Sequence, residues 1–76
     1  MKKSDINRLK RAVLQLKQAE QNLDKVYESL WNQDAEYVRF MDGHESTTRI
    51  LVNEMLHDII LERRYMEGKI QVFEEL

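Results

Sequence analysis

Apolar residues recur along the first half of this chain with a seven-residue period. Leu9, Leu16, Leu23 and Leu30 fall seven apart, and Tyr37 takes the next place in the series. With these at heptad position d, position a reads Ile6, Val13, Glu20, Tyr27, Asp34 and Met41. A 3–4 apolar repeat held over several heptads predicts a coiled-coil-like helix. Nothing from Asp5 to about Met41 breaks it, and Ser4 or Asp5 is placed to cap its start. Position g adds Ala12, Ala19, Val26, Gln33 and Phe40, so the apolar stripe is wider than a two-stranded zipper needs. A helical bundle suits that width better. Glu20 and Asp34 interrupt position a, and a carboxylate in a seam is costly unless it meets a cation or water.

A second helix is predicted over residues 47–75. At about 100° per residue, Val52, Met55, Leu56, Ile59, Met66, Ile70 and Phe73 share one face. Ile50, Leu61, Tyr65 and Val72 lie on roughly the opposite side, with His57 and Gly68 among them. One neighbouring helix requires one stripe, so two stripes predict contacts on both sides. A glycine costs about 1 kcal/mol against alanine inside a helix, and Gly68 reads as a place where another helix comes close.

Between the two helices stands Asp-Gly-His-Glu-Ser-Thr-Thr, residues 42–48. Gly43 suits a left-handed helix end, and Ser46 or Thr47 suits the cap of the second helix. Asp42 with Glu45 offers an alternative capping box. The segment over about 42–46 therefore reads as a bend. Asp42, His44 and Glu45 make a poor metal loop, since one short loop seldom supplies a whole coordination sphere.

Charge fixes how the halves are arranged. Residues 1–17 carry six cations against one acid, and the remainder six cations against thirteen acids. Both biases oppose the helix dipole. Folding back at residues 42–46 sets the basic N-terminus beside the acidic C-terminus. That register places Glu20 near Arg63 and Arg64, and Asp34 near Arg49, Asn53 and His57. The expected fold is all-α: one domain spanning residues 1–76, an antiparallel two-helix hairpin with helices roughly 55 and 45 Å long. Two such hairpins are expected to pair as a four-helix bundle, that is, a homodimer.

Composition narrows the function. The chain has 76 residues, no cysteine and no proline, with 34% charged residues and a net charge of −2. Disulfides and thiolate metal sites are excluded. A domain this small is usually reinforced by a partner chain when neither is present. The opening MKKSDINRLKR has no apolar core behind its lysines, and no apolar run approaches a membrane span. A soluble cytoplasmic protein is the expectation, with no membrane partner.

Candidate chemistry is sparse. Glu54 and His57 form a Glu-x-x-His step of the kind that holds paired metals in ferritin-like carboxylate bundles, but they fall on the second stripe of their helix. They stand as metal candidates only, and no metal or cofactor is expected. There is no glycine-rich phosphate loop and no nucleophile paired with a base, so no enzyme is expected. The basic N-terminus followed by leucines offers an alternative, a nucleic-acid-associated regulator. Its basic stretch is short and faces an acidic C-terminus, which argues against that reading.

What remains is apolar surface in excess. Tyr27, Trp31, Tyr37, Phe40, Ile50, Leu61, Tyr65 and Val72 are the expected interface residues, over a heptad core of Leu9, Val13, Leu16, Leu23 and Leu30. The expected function is a non-enzymatic protein-binding module that self-associates and serves another protein as regulator, inhibitor or adaptor.

Overall fold

The computed structural model describes residues 1–76 and is 74% helical. Helix α1 runs over Lys3–Trp31 and helix α2 over Thr48–Glu74. Between them, strands β1 (Tyr37–Arg39) and β2 (Glu45–Thr47) form a two-stranded antiparallel hairpin. The two helices pack against each other along most of their lengths, giving a body of 49 × 28 × 14 Å. The shortest dimension is close to one helix diameter, about 10–12 Å. The protein is a single layer.

The seam between the helices follows the leucine heptad. Ile6, Val13 and Ile70 are buried, with Leu9, Met66 and Phe73 packed around them. Leu16, Leu23 and Leu30 are half-buried on the same side of α1. On α2 the inward residues are Val52, Leu56, Ile59, Arg63, Met66, Ile70 and Phe73, a strict alternation of three and four. Met55, expected on that face, is half exposed. Gly68 lies mid-helix on the outer side of α2, and nothing stands within 4 Å of where a Cβ would be.

The expected helix over 5–41 is corrected at both ends: the two packed helices are present, and a short two-stranded hairpin joins them in place of the last ten helical residues. α1 begins at Lys3, with Lys2 as its cap residue and no side-chain cap, so neither Ser4 nor Asp5 fills that role. It stops ten residues short, at Trp31, and is about 43 Å long rather than 55. The helical period does persist through Tyr37 and Met41, but the local chemistry favours a turn. The aromatic and β-branched run Tyr37-Val38-Arg39-Phe40 suits a strand. Phe40 O accepts from Gly43 N at 2.9 Å, and Phe40 N donates to His44 O at 2.8 Å. Gly43 has φ +86°. This is a three-residue hairpin loop ending in a left-handed glycine.

The expected bend over 42–46 is thus the tip and return strand of a β-hairpin. Asp42 and Glu45 form no capping box: Asp42 Oδ1 accepts from the His44 backbone N at 2.9 Å, and Glu45 pairs with Arg39 across the strands. Thr47 caps α2, its hydroxyl accepting from Ile50 N at 3.2 Å.

Two stability predictions follow from the seam and the loop. Ile70→Ala removes a buried side chain from a thin core and is expected to cost about 2–3 kcal/mol in chemical denaturation. At Gly43 a methyl group meets no neighbour, so Gly43→Ala is expected to cost about 1 kcal/mol from backbone strain alone.

Candidate interaction surface

The middle of the seam is polar. Glu20, at a position where the repeat calls for an apolar residue, accepts two hydrogen bonds from the Arg63 guanidinium, from Nε and Nη2. Arg63 also reaches Glu67 one turn along its own helix, at 3.2 Å. The Glu20 and Arg63 side chains are only 16% and 18% exposed. The bond to Glu20 holds Arg63 above its ordinary pKa against partial desolvation, and Glu67 adds to the effect. The protonated guanidinium is therefore bound more tightly in the fold than in the open chain. Its contribution is complete through the neutral range and fades only in strong alkali, as pH rises through the raised value.

Two further pairs bridge the helices on one flank of this seam: Lys10 with Glu74 at 2.6 Å, and Lys17 with Glu67 at 3.6 Å. They bring basic N-terminus and acidic C-terminus together, but exposed pairs of this kind contribute at most about 1 kcal/mol each.

At the other end of the molecule Arg49 makes the junction. Its Nε donates to Leu30 O at 3.0 Å and its Nη2 to Gln33 O. Its guanidinium carbon lies 4.7 Å from the Trp31 ring centroid. The last turn of α1 has no basic residue of its own. Arg49, from the start of α2, supplies the cation that a helix C-terminus favours, adding a donor to the Leu30 carbonyl that Gln33 N also reaches at 3.3 Å and binding the Gln33 carbonyl just beyond the helix. Asp34, expected beside Arg49, Asn53 and His57, lies beyond the end of α1, and Arg49 is committed to backbone carbonyls instead.

The eight expected interface residues do not form one surface. Tyr27 sits half-buried on the seam side of α1, edge-on to Trp31 with centroids 6.0 Å apart. Trp31 (58% exposed) and Ile50 (51%) line a cleft at that junction with Tyr27, Arg49 and Asn53. Tyr37 and Phe40 stand on the hairpin rather than on a helix; Tyr37 is largely exposed and Phe40 stacks on His44. Tyr65 and Val72 lie together on the distal half of α2, both more than half exposed, and Leu61 faces outward on its own.

Sequence reasoning passed over Leu14, an exposed leucine outside the a, d and g positions, and did not foresee Arg49 as the pivot. The only sequence signal for Arg49 is a lone cation three residues beyond a turn. Glu54 and His57 are both exposed on α2, and no three His, Cys, Asp or Glu side chains gather anywhere to hold a metal. No helix is long and apolar enough to cross a membrane. No protein-family model, curated protein or solved structure matches the chain.

The central pair generates an ordering that thermal melts can check. Arg63→Leu alone strands Glu20 in the seam and lowers the melting midpoint. The double variant Glu20→Leu with Arg63→Leu is expected to recover that loss and to match or exceed the parent protein, since the pair gains little over well-packed apolar residues.

Proposed function

We propose that this protein is a non-enzymatic binding module that self-associates and acts on another protein as a regulator, inhibitor or adaptor. One observation carries the reading: the surface area. The chain exposes 6249 Å² for a mass of 9.2 kDa, whereas folded monomers of that mass expose about 4,900 Å². Its radius of gyration is 16.8 Å, against about 11 Å for a compact domain of this length. Stable domains enclose their core between at least two layers, and this chain builds one. Only three residues are buried, while Trp31, Tyr37, Met41, Ile50, Leu61, Tyr65 and Val72 are each at least half exposed.

The two kinds of partner divide between two regions. The helical sides suit a second helical layer, as in a four-helix bundle. The junction and hairpin, with Trp31, Tyr37, Phe40, Met41 and Ile50, offer the aromatic and methionine side chains that anchor protein interfaces. The basic N-terminus supports a nucleic-acid role less well, because Lys10 and Lys17 already face Glu74 and Glu67.

A tagged pull-down from native lysate with nuclease, paired with sedimentation equilibrium, tests this reading. A dimer that retains one foreign protein in fixed ratio is the expected result; a monomer that retains nothing sinks it. Trp31→Ala should leave the dimer intact while weakening retention of that protein by about 2 kcal/mol, roughly thirtyfold.

A further inference from the structure

The hairpin head carries backbone groups that its own fold leaves unpaired. Phe40 N donates to His44 O at 2.8 Å and Thr48 N to Glu36 O at 3.0 Å, and Val38 stands between these two pairs, opposite Ser46. Hydrogen-bonded pairs alternate with non-hydrogen-bonded ones along an antiparallel ladder. The backbone of Val38 therefore faces β2, while the N–H and C=O groups of Tyr37 and Arg39 point away from it. On β2 the matching outward residues are Glu45 and Thr47. Thr47 is already committed as the cap of α2, its hydroxyl on Ile50 N and its carbonyl at the start of the helical ladder. β2 is also the strand packed against α2. β1 is left as the open edge.

Nothing on β1 guards that edge. Edge strands are commonly kept single by proline, lysine, a bulge or a covering helix. Tyr37-Val38-Arg39 has no proline or lysine, and its register with β2 runs without a bulge. Its one charge, on Arg39, is drawn toward Glu45 of β2. Tyr37 is 76% exposed and the Arg39 side chain 73%.

We propose that β1 pairs edge to edge with β1 of a second copy of the chain, giving a four-stranded antiparallel sheet about a two-fold axis through the two Val38 residues. This contact lies outside the helical layer and goes beyond the self-association described above. Register selects it, because outward residues must face outward residues. Tyr37 opposite Tyr37 of the partner subunit leaves Arg39 to pair with Ala35 of the partner subunit, before the strand begins. Arg39 opposite Arg39 of the partner subunit sets two guanidinium groups face to face and leaves Tyr37 level with the loop residue Met41 of the partner subunit. Tyr37 opposite Arg39 of the partner subunit uses every outward group, in four N–H···O=C bonds. Each guanidinium then lies beside a tyrosine ring across the strands, a favourable cation–aromatic pair. The two Val38 side chains meet in the closest kind of cross-strand pair. The arrangement maps onto itself, as an isologous contact must. Two short strands are marginal alone, and four support one another.

The test is backbone amide exchange followed by NMR. A contact of this size belongs with weak, transient interfaces, with a dissociation constant of roughly 0.2 mM. Exchange is therefore compared at about 20 μM and about 2 mM, on either side of that value. The Tyr37 and Arg39 amides have no acceptor within the single chain, and at the higher concentration their exchange should slow about fourfold. Arg39→Pro removes an outward N–H and none of the hairpin's own bonds. It should return the Tyr37 amide to fast exchange at both concentrations while Val38 keeps its protection. Under oxidising conditions Val38→Cys should cross-link two copies faster than Ser46→Cys, which lies a strand further from the axis.

Tyr37 and Arg39 amides that exchange equally fast at both concentrations overturn this contact, and so do equal cross-linking rates. Neither result touches association through the helical sides. Sedimentation at micromolar concentration reads that separately, since the edge contact is too weak to persist there.

Discussion

The structure depends on one seam, and the seam is held in register by one polar contact. Two antiparallel helices with an apolar 3–4 repeat could slide by a heptad and still bury leucine against isoleucine. They cannot slide without separating Glu20 from Arg63 and leaving both charges between apolar side chains. A polar residue at a single a position is the known device for specifying register at some cost in stability. Lys10–Glu74 and Lys17–Glu67 agree with the same register but lie at the surface, where screening leaves them little force.

From that register the rest of the molecule follows. α2 begins near the end of α1, so Arg49 reaches the Leu30 carbonyl in its last turn, the Gln33 carbonyl just beyond it and the face of Trp31 together. The connecting residues are thereby clamped at both ends. A two-stranded hairpin with three-residue strands is marginal by itself, and here Thr48 N donates to Glu36 O at its base while Gly43 closes its tip. The clamp turns a long connection into a defined head whose Tyr37 and Met41 point into solvent.

What the fold lacks is a second layer. Two helices side by side bury one stripe each, and the sides of the layer stay open. The ion-paired side is well hydrated by its own charges. The opposite side has alanines in its middle on α1, and Met55, Tyr65 and Val72 along α2 with Asp58, Glu62 and Lys69 among them.

The sequence by itself determined the seam. A heptad period is a property of consecutive residues, and the charge asymmetry between the chain ends specifies an antiparallel return, so the two packed helices and the meeting of Glu20 with Arg63 were legible. Thr47 as a cap was legible for the same reason: it is chemistry within four residues. Tertiary structure decided where α1 stops. Residues 32–41 keep the apolar period through Tyr37 and Met41 and also carry strand-forming residues ahead of an Asp-Gly turn, so local pattern alone supports either outcome. The choice is tied to Arg49, sixteen or more residues away, because only the folded register brings its guanidinium to the carbonyls of Leu30 and Gln33. The spread of the expected interface residues over three places has the same origin: once the chain leaves the helix at Trp31, helical spacing no longer says which way Tyr37 and Phe40 face.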